Sequence, residues 1–249
     1  MTTTIRHNNR NYTIDLSKPL DISIPISGKK QNVIAWGLDL PKIEPHISGD
    51  YEGSVAAGQS VNFNDIQFNP HAHGTHTECY GHITKEVHSV NKVLSKFFFK
   101  AEVITIAPEK YQEDFVISKK QLRYVIGNKK REALVIRTLP NTLQKKRNHY
   151  SKTNPPYLLE EAATYLAEIG VEHLLIDLPS VDREDDYGAL LAHRAFWNMN
   201  GSIRKAATIT ELIFVNNKIL DGAYFLSFQL GPFENDAAPS RPVLYAIQE

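Results

Sequence analysis

Between positions 97 and 247 the apolar residues fall into short runs separated by polar or turn-forming stretches, and the spacing inside each run predicts its element. Phe97-Phe98-Phe99 with Val103-Ile104-Thr105-Ile106 reads as one buried strand over 97–107. Ala133-Leu134-Val135-Ile136 reads as a second and Leu174-Leu175-Ile176 as a third. Continuous apolar runs of this kind mark strands covered on both faces. Two helices lie between them. Ser118 is placed to cap a helix from Lys119 to Ile126 that ends at Gly127. Leu159, Ala162, Ala163, Leu166 and Ile169 recur at helical spacing, and Gly170 closes that segment. Strand, helix, strand, helix, strand predicts an α/β layer with partly parallel pairing.

The flanks differ. Ile5 to Asp15 predicts two short strands around Asn8-Asn9, and Ile22 to Ile26 a strand that Pro25 places at an edge or end. Residues 27–60 read as irregular, with one further strand at Val33 to Trp36. Val61 to Phe68 alternates with a slip at Asp65. Lys145 to Pro156 reads as a polar surface loop, and Leu190 to Trp197 as a helix. Ile209 to Val215, Tyr224 to Leu230 and Val243 to Ile247 read as strands with no helix between them. Trp36 and Tyr51 either line a pocket or pack on the core. No repeat or low-complexity linker divides the chain, so residues 1–249 are expected to form one domain with mixed sheets.

Charge narrows the classes of partner. Lys+Arg and Asp+Glu both total 28, so no net field draws nucleic acid or an acidic membrane. The one basic run, Lys145-Lys146-Arg147, reads as a solvated loop. A single cysteine allows no intrachain disulfide and fits a reducing compartment, so a cytoplasmic location is expected. No signal peptide is read at the start, and no apolar run is long enough to span a bilayer. The absence of G-x-G-x-x-G, Walker, H-E-x-x-H and G-x-S-x-G patterns removes support for nucleotide cofactors and for common hydrolase types.

The candidate chemistry concentrates in residues 71–82, where four of the ten histidines (His71, His73, His76 and His82) surround Glu78. Imidazole and carboxylate are the usual protein ligands of zinc and similar ions. On an extended segment His76 and Glu78 point to one face. Gly74 permits a turn before them, and a turn after them folds His82 back over Glu78. Cys79 offers a competing reading as a thiol nucleophile with a histidine base. A second segment comes from Asp177 to Asp182, after the strand 174–176, and from His193 on the next helix. Glu211 stands in an apolar strand, where a carboxylate needs water, a cation or a metal.

This set resembles the cyclase-type metal-dependent hydrolases, the family that includes bacterial kynurenine formamidase (arylformamidase). The family pattern H-x-G-T-H-x-D-x-P-x-H is similar to His73-Gly74-Thr75-His76-Thr77-Glu78-Cys79-Tyr80-Gly81-His82. Asp15-Leu16-Ser17 resembles its early D-L-S. Asp177, Pro179, Ser180 and Asp182 resemble its D-x-P-S-x-D, and Asp236 to Arg241 resembles its closing D-x-S-P-x-R. The resemblance implies an α/β swivelling β/β/α fold in a single domain with mixed sheets, assembled as a homodimer or higher homo-oligomer. It implies one or two divalent ions, zinc or manganese, and a small-molecule substrate. His76 and Glu78 would hold the first ion, and Glu78, His193 and Glu211 the second. His82 would be the acid/base for a metal-activated water attacking a small amide, formamide or cyclic amide.

The departures are specific. Ala72 stands where the family has a histidine, and His71 or His73 is the substitute, with His71 preferred. Glu78 replaces an aspartate and reaches one methylene further. His193 and Glu211 are spaced more widely than in the family. A member that binds a small molecule without turnover is the alternative, and a purely structural ion is the third reading.

Overall fold

The computed structural model of the protein describes residues 1–127, 129 and 131–248. An N-terminal hairpin joins β1 (Thr2–His7) and β2 (Arg10–Asp15) through Asn8 and Asn9, both at positive φ. A projecting pair follows, β3 (Lys42–Pro45) with β4 (Asn64–Gln67). Then come β5 (His76–Cys79), β6 (Phe98–Ile106), α1 (Lys119–Ile126), β7 (Ala133–Thr138), α2 (Glu160–Glu168) and β8 (His173–Ile176). The chain ends with α3 (Leu191–Trp197), β9 (Thr208–Glu211), β10 (Gly222–Leu230) and β11 (Ala237–Gln248).

Strands β6, β7, β8 and β9 run parallel, as the alternation of strand and helix predicts. Antiparallel β10 and β11 extend the sheet on one side and antiparallel β5 on the other. Because β5 also pairs with β11, the sheet closes on itself in the order β11, β10, β6, β7, β8, β9, β5 and back to β11. The result is a mixed α/β fold around a seven-stranded closed sheet.

Alternate residues of the parallel strands serve two apolar clusters. Val103, Val135 and Leu175 pack with Leu226, Phe228 and Leu244. Ile104, Leu134, Ile136, Leu174 and Ile176 pack under the three helices, against Leu122, Leu166, Phe196 and Trp197. Each such fully buried side chain stabilises the fold by about 1.5–3 kcal/mol. Helix α1 begins where its cap was expected. Ser118 Oγ accepts from the Gln121 amide, Gln121 Oε1 accepts from the Ser118 amide, and Gly127 at φ +58 ends the helix.

Residues 42–52, expected to be irregular, carry the short strands Lys42–Pro45, Ile47–Ser48 and Tyr51–Glu52, and four further stretches depart from the sequence pattern. Residues 22–26 form no paired strand; only Leu20–Asp21 pairs with β11, since Pro25 has no N–H to donate. Val33 to Trp36 contributes one bridge, Ile34 to His149. The strand expected over 209–215 stops at Glu211, because Leu212 turns to φ +53 and its amide bonds the Leu178 carbonyl. In the basic run Lys146 and Arg147 are exposed as expected, but Lys145 is buried on a turn of 3-10 helix (Leu143–Arg147), with Nζ donating to Asp177 Oδ2 at 2.7 Å.

Candidate metal centre

The first part of the site is set by a helical turn at Pro70–His73. Asn69 caps it by accepting from the His71 amide at 2.9 Å, and Pro70 opens it where no N–H is needed. Residues two apart on a helical turn are rotated by about 200°, so His71 and His73 leave on opposite sides. His73 is therefore not brought into the cluster, which corrects its place among the candidate ligands. Its Nδ1 accepts from the Asn69 amide, and its Nε2 donates to the Asp39 carbonyl, each at 2.9 Å. His71 turns inward instead.

Gly74 is not a turn. Its φ of 171° is extended backbone, and what the position requires is a missing side chain. A Cβ there would stand 2.7 Å from Ile26 Cγ1 and 2.9 Å from the Ile24 carbonyl. Thr75 Oγ1 accepts from the Ile24 amide and donates to the Leu212 carbonyl, fixing the entry to β5. On β5 the alternation places His76 and Glu78 on one face, while Thr77 bonds Thr210 on the other at 2.7 Å. A 3-10 turn, Tyr80–Ile83, then carries His82 back over the strand, with Nε2 3.8 Å from Glu78 Oε2. Gly81 allows that turn to press against His88, whose carbonyl would collide with any Cβ.

The second part arrives from distant segments. Asp182 accepts from the amides of Ala192 and His193 at the start of α3 and from His193 Nδ1 at 2.5 Å. This leaves His193 Nε2 directed inward, 2.9 Å from Glu78 Oε1 and 3.8 Å from Glu211 Oε1. Glu211 Oε1 accepts from the Val181 amide at 2.8 Å, and its Oε2 stands 3.4 Å from His76 Nε2. His76 Nδ1 donates to the Gly74 carbonyl at 3.0 Å, so its Nε2 carries a lone pair toward the cluster. Asp236 completes the set. Its Oδ2 accepts from His71 Nε2 at 2.9 Å and from His82 Nδ1 at 3.2 Å, and these two rings stack with centroids 4.3 Å apart. Asp236 was legible only as one letter of the closing segment, and nothing in its neighbours marked it as a site residue.

Charge in the cluster is tightly balanced. Burial opposes ionisation of Glu78, yet the His82, His193 and His71 imidazoles around it hold its carboxyl well below the ordinary carboxylate range. Burial likewise opposes a charged His71, but Asp236 and Glu78 override it and raise the group to about 10. His193 is raised well above its ordinary value against the same burial penalty, by Glu78 and Asp182. Asp236, although half-buried, is lowered by His71 and His82.

Within the cluster, two buried atoms of the described residues have no hydrogen-bond partner, His76 Nε2 and Glu78 Oε2. A buried polar atom left unpaired costs about 1–3 kcal/mol. Both present lone pairs, which a bound cation would satisfy. His71 Nδ1 lies 3.1 Å from that same Glu78 Oε2 without hydrogen-bond alignment. Ligand atoms around one tetrahedral ion with bonds of about 2.0–2.1 Å sit about 3.3 Å apart. The separation of 3.1 Å between His71 Nδ1 and Glu78 Oε2, which belong to one candidate ligand set, is close to that spacing. His71, His76 and Glu78 offer one set of mutually close ligand atoms, and Glu78, His82 and His193 another. The residues fit a divalent cation.

Cys79 does not fit a nucleophile. It is fully buried, its Sγ donates to the His88 carbonyl, and burial pushes its thiol up to about 11. Of the two aromatic candidates, Trp36 borders the site. Its Nε1 donates to the His71 carbonyl at 3.1 Å, and it lines a small cavity with Tyr150, Pro156, Pro179, Ser180 and Asp182. Tyr51 lies in a separate two-stranded pair with Ile47–Ser48.

Comparison with known proteins bears on this arrangement. A family model described as Putative cyclase matches residues 14–183, well over half of the chain. His193, Glu211 and Asp236 lie beyond that stretch, and the fold brings them to it. Among solved structures, isatin hydrolase A from Labrenzia aggregata superposes with a TM-score of 0.68 at 13% identity, covering 93% of this chain and 94% of that one. Isatin hydrolase A from Ralstonia solanacearum gives 0.65 at 16% identity, with 92% of each chain covered. A potential metal-dependent hydrolase with cyclase activity gives 0.67 at 16%, covering 93% of this chain and 99% of that one. At these identities the likeness is one of fold. No curated protein matches the sequence.

Proposed function

The chain belongs to the Putative cyclase family, and from that premise we propose that it is a metal-dependent hydrolase acting on a small amide, formamide or cyclic amide. The observation that carries this reading is the convergence of two unpaired buried atoms, His76 Nε2 and Glu78 Oε2, with the inward faces of His71, His193 and Glu211. His71, His76 and Glu78 would hold one divalent ion, zinc or manganese. Glu78, His193 and Glu211 would hold a second where two are bound. Such an ion supplies Lewis acidity, polarising a carbonyl oxygen and making water a stronger acid.

The chain's own residues supply the rest. Asp182 keeps the His193 ring in one orientation, and the Gly74 carbonyl does the same for His76. His82 is the proton carrier. It is part-exposed, and with Nδ1–H held on Asp236 its Nε2 faces the cluster. There it takes the proton of the attacking water and delivers it to the leaving nitrogen. Trp36 ties its own segment to the His71 turn by donating Nε1–H to the His71 carbonyl.

The isatin hydrolase neighbours support a cyclic amide as one substrate to test, since isatin is itself a cyclic amide. Arylformamide hydrolysis is the other. We read residues 1–249 as one domain of this type, working in the cytoplasm as a homodimer or higher homo-oligomer. Among the described residues no helix is long and apolar enough to cross a membrane.

The test is elemental analysis of the purified protein beside a His76→Ala variant, followed by turnover on a panel of formamides, lactams and cyclic imides. One or two ions per chain, lost in the variant, with chelator-sensitive turnover, is the expected result. Full activity in metal-free protein would overturn the proposal.

A further inference from the structure

We propose that Asp236 is the positioning residue that makes His71 the substitute for the ligand missing at Ala72, and that it orients His82 with the same carboxylate oxygen. The inference rests on the metal-hydrolase reading and deepens it.

Asp236 Oδ2 accepts from His71 Nε2 at 2.9 Å and from His82 Nδ1 at 3.2 Å. A carboxylate only accepts, so each of these nitrogens carries its ring's proton. The other nitrogen of each ring, His71 Nδ1 and His82 Nε2, is thereby the one left to offer a lone pair once a bound cation takes the place of any proton on it. Both face one atom, Glu78 Oε2, at 3.1 and 3.8 Å. Two stacked imidazoles are thus bracketed between Asp236 Oδ2 on the outside and Glu78 Oε2 on the inside. The same device holds His193, whose Nδ1 donates to Asp182 while Nε2 faces Glu78 Oε1. A ligating histidine whose second nitrogen donates to a carboxylate has its tautomer and ring angle fixed and its basicity raised.

The need for Asp236 follows from how His71 reaches the site. His71 comes from a four-residue helical turn, and its ring is part-exposed, unlike the fully buried His76 on a strand bonded on both sides. The His76 ring is fixed by its own Gly74 carbonyl. Among the described residues His71 has no such local partner, and its outer nitrogen is met by a carboxylate 165 positions away in sequence. Asp236 precedes β11, whose pairing with β5 places it over the turn.

The experiment compares wild type, Asp236→Asn, Asp236→Glu and His76→Ala as full-length, metal-stripped proteins titrated with zinc and with manganese. Long-range proton–nitrogen spectra of labelled histidines are recorded on the metal-free samples. Wild type is expected to bind, and His76→Ala to lose binding. Asp236→Asn should bind about 10–100-fold more weakly, with its far-ultraviolet circular dichroism unchanged and the hydrogen-bonded His71 Nε2–H and His82 Nδ1–H signals lost. Asp236→Glu, which keeps the charge, should recover much of that loss; a packing role alone would be disturbed by the longer side chain as much as by asparagine. If wild type binds metal and Asp236→Asn binds as tightly with both hydrogen-bonded signals retained, the role of Asp236 is overturned and the hydrolase reading stands. If wild type binds neither ion, or His76→Ala binds as wild type does, the hydrolase reading falls and this inference with it.

Discussion

His76 and Glu211 stand directly opposite each other on the antiparallel pair β5–β9, with Nε2 3.4 Å from Oε2. Opposed residues of such a pair share a face, so this contact follows from strand register rather than from side-chain reach. Glu211→Gln keeps an oxygen for the Val181 amide and removes the charge. We expect the variant to fold, and to bind zinc more weakly by at least the roughly 10–100-fold that loss of a ligand's supporting carboxylate costs. Isothermal titration of the stripped protein measures this, and unchanged affinity would remove Glu211 from the ligand set.

Lys145 and Asp177 form a buried ion pair at 2.7 Å, and Lys145 Nζ also donates to the Thr138 carbonyl and hydroxyl. Removing one partner of such a pair leaves an uncompensated buried charge and costs about 3–5 kcal/mol. Lys145→Ala is expected to lower the free energy of unfolding in urea by that amount. A change below about 1 kcal/mol, the range of exposed pairs, would mean that water reaches Asp177.

His173 sits between Phe99 and Phe228, with Nδ1 bonded to Thr208 Oγ1 and Nε2 without a partner. Burial, aided by Arg204, lowers its pKa to about 3. The folded state therefore keeps it neutral, while the unfolded chain takes up a proton near pH 6.5. The stability this neutrality carries is complete above about pH 6.5 and is lost as pH falls toward 3, by up to about 1.4 kcal/mol per pH unit. Melting temperatures between pH 7 and 5 should fall less steeply in His173→Phe than in wild type. Parallel curves would show that His173 is not the group responsible.

Cys79 should resist chemistry. With the thiol buried and held up to about 11, iodoacetamide at pH 8 should leave the native protein unlabelled and label it only in denaturant. Cys79→Ala should keep its metal content and turnover. Rapid native labelling accompanied by loss of turnover would revive the nucleophile reading.

Much of the fold was legible because burial on both faces writes itself as unbroken apolar runs; Leu134 to Ile136 and Leu174 to Ile176 are strands in the structure. The capping box at Ser118 and Gln121 was legible because it is local. So was the suspicion about Glu211, a carboxylate in an apolar strand that proved buried beside two histidines. What escaped was set by geometry that no short window contains. His71 and His73 share a face only if their segment is extended, and the Asn69 cap bends it into a helical turn. Asp236 gains its meaning from a pairing across more than 150 positions. Lys145 looked solvated among its charged neighbours until Asp177 was brought beneath it.

β5 is the stave that closes the barrel, and both its neighbours are made late. Thr77 meets Thr210 across 133 positions, and the β11 residues that bond its other edge come later still. During synthesis on a ribosome, the histidine-rich segment therefore emerges long before either edge that will hold it. Until then its imidazoles are loose ligands on a nascent chain, without the rigid spacing that selects one ion over another. The close spacing of these side chains therefore arises only once the strand Ala237–Gln248 has paired with β5.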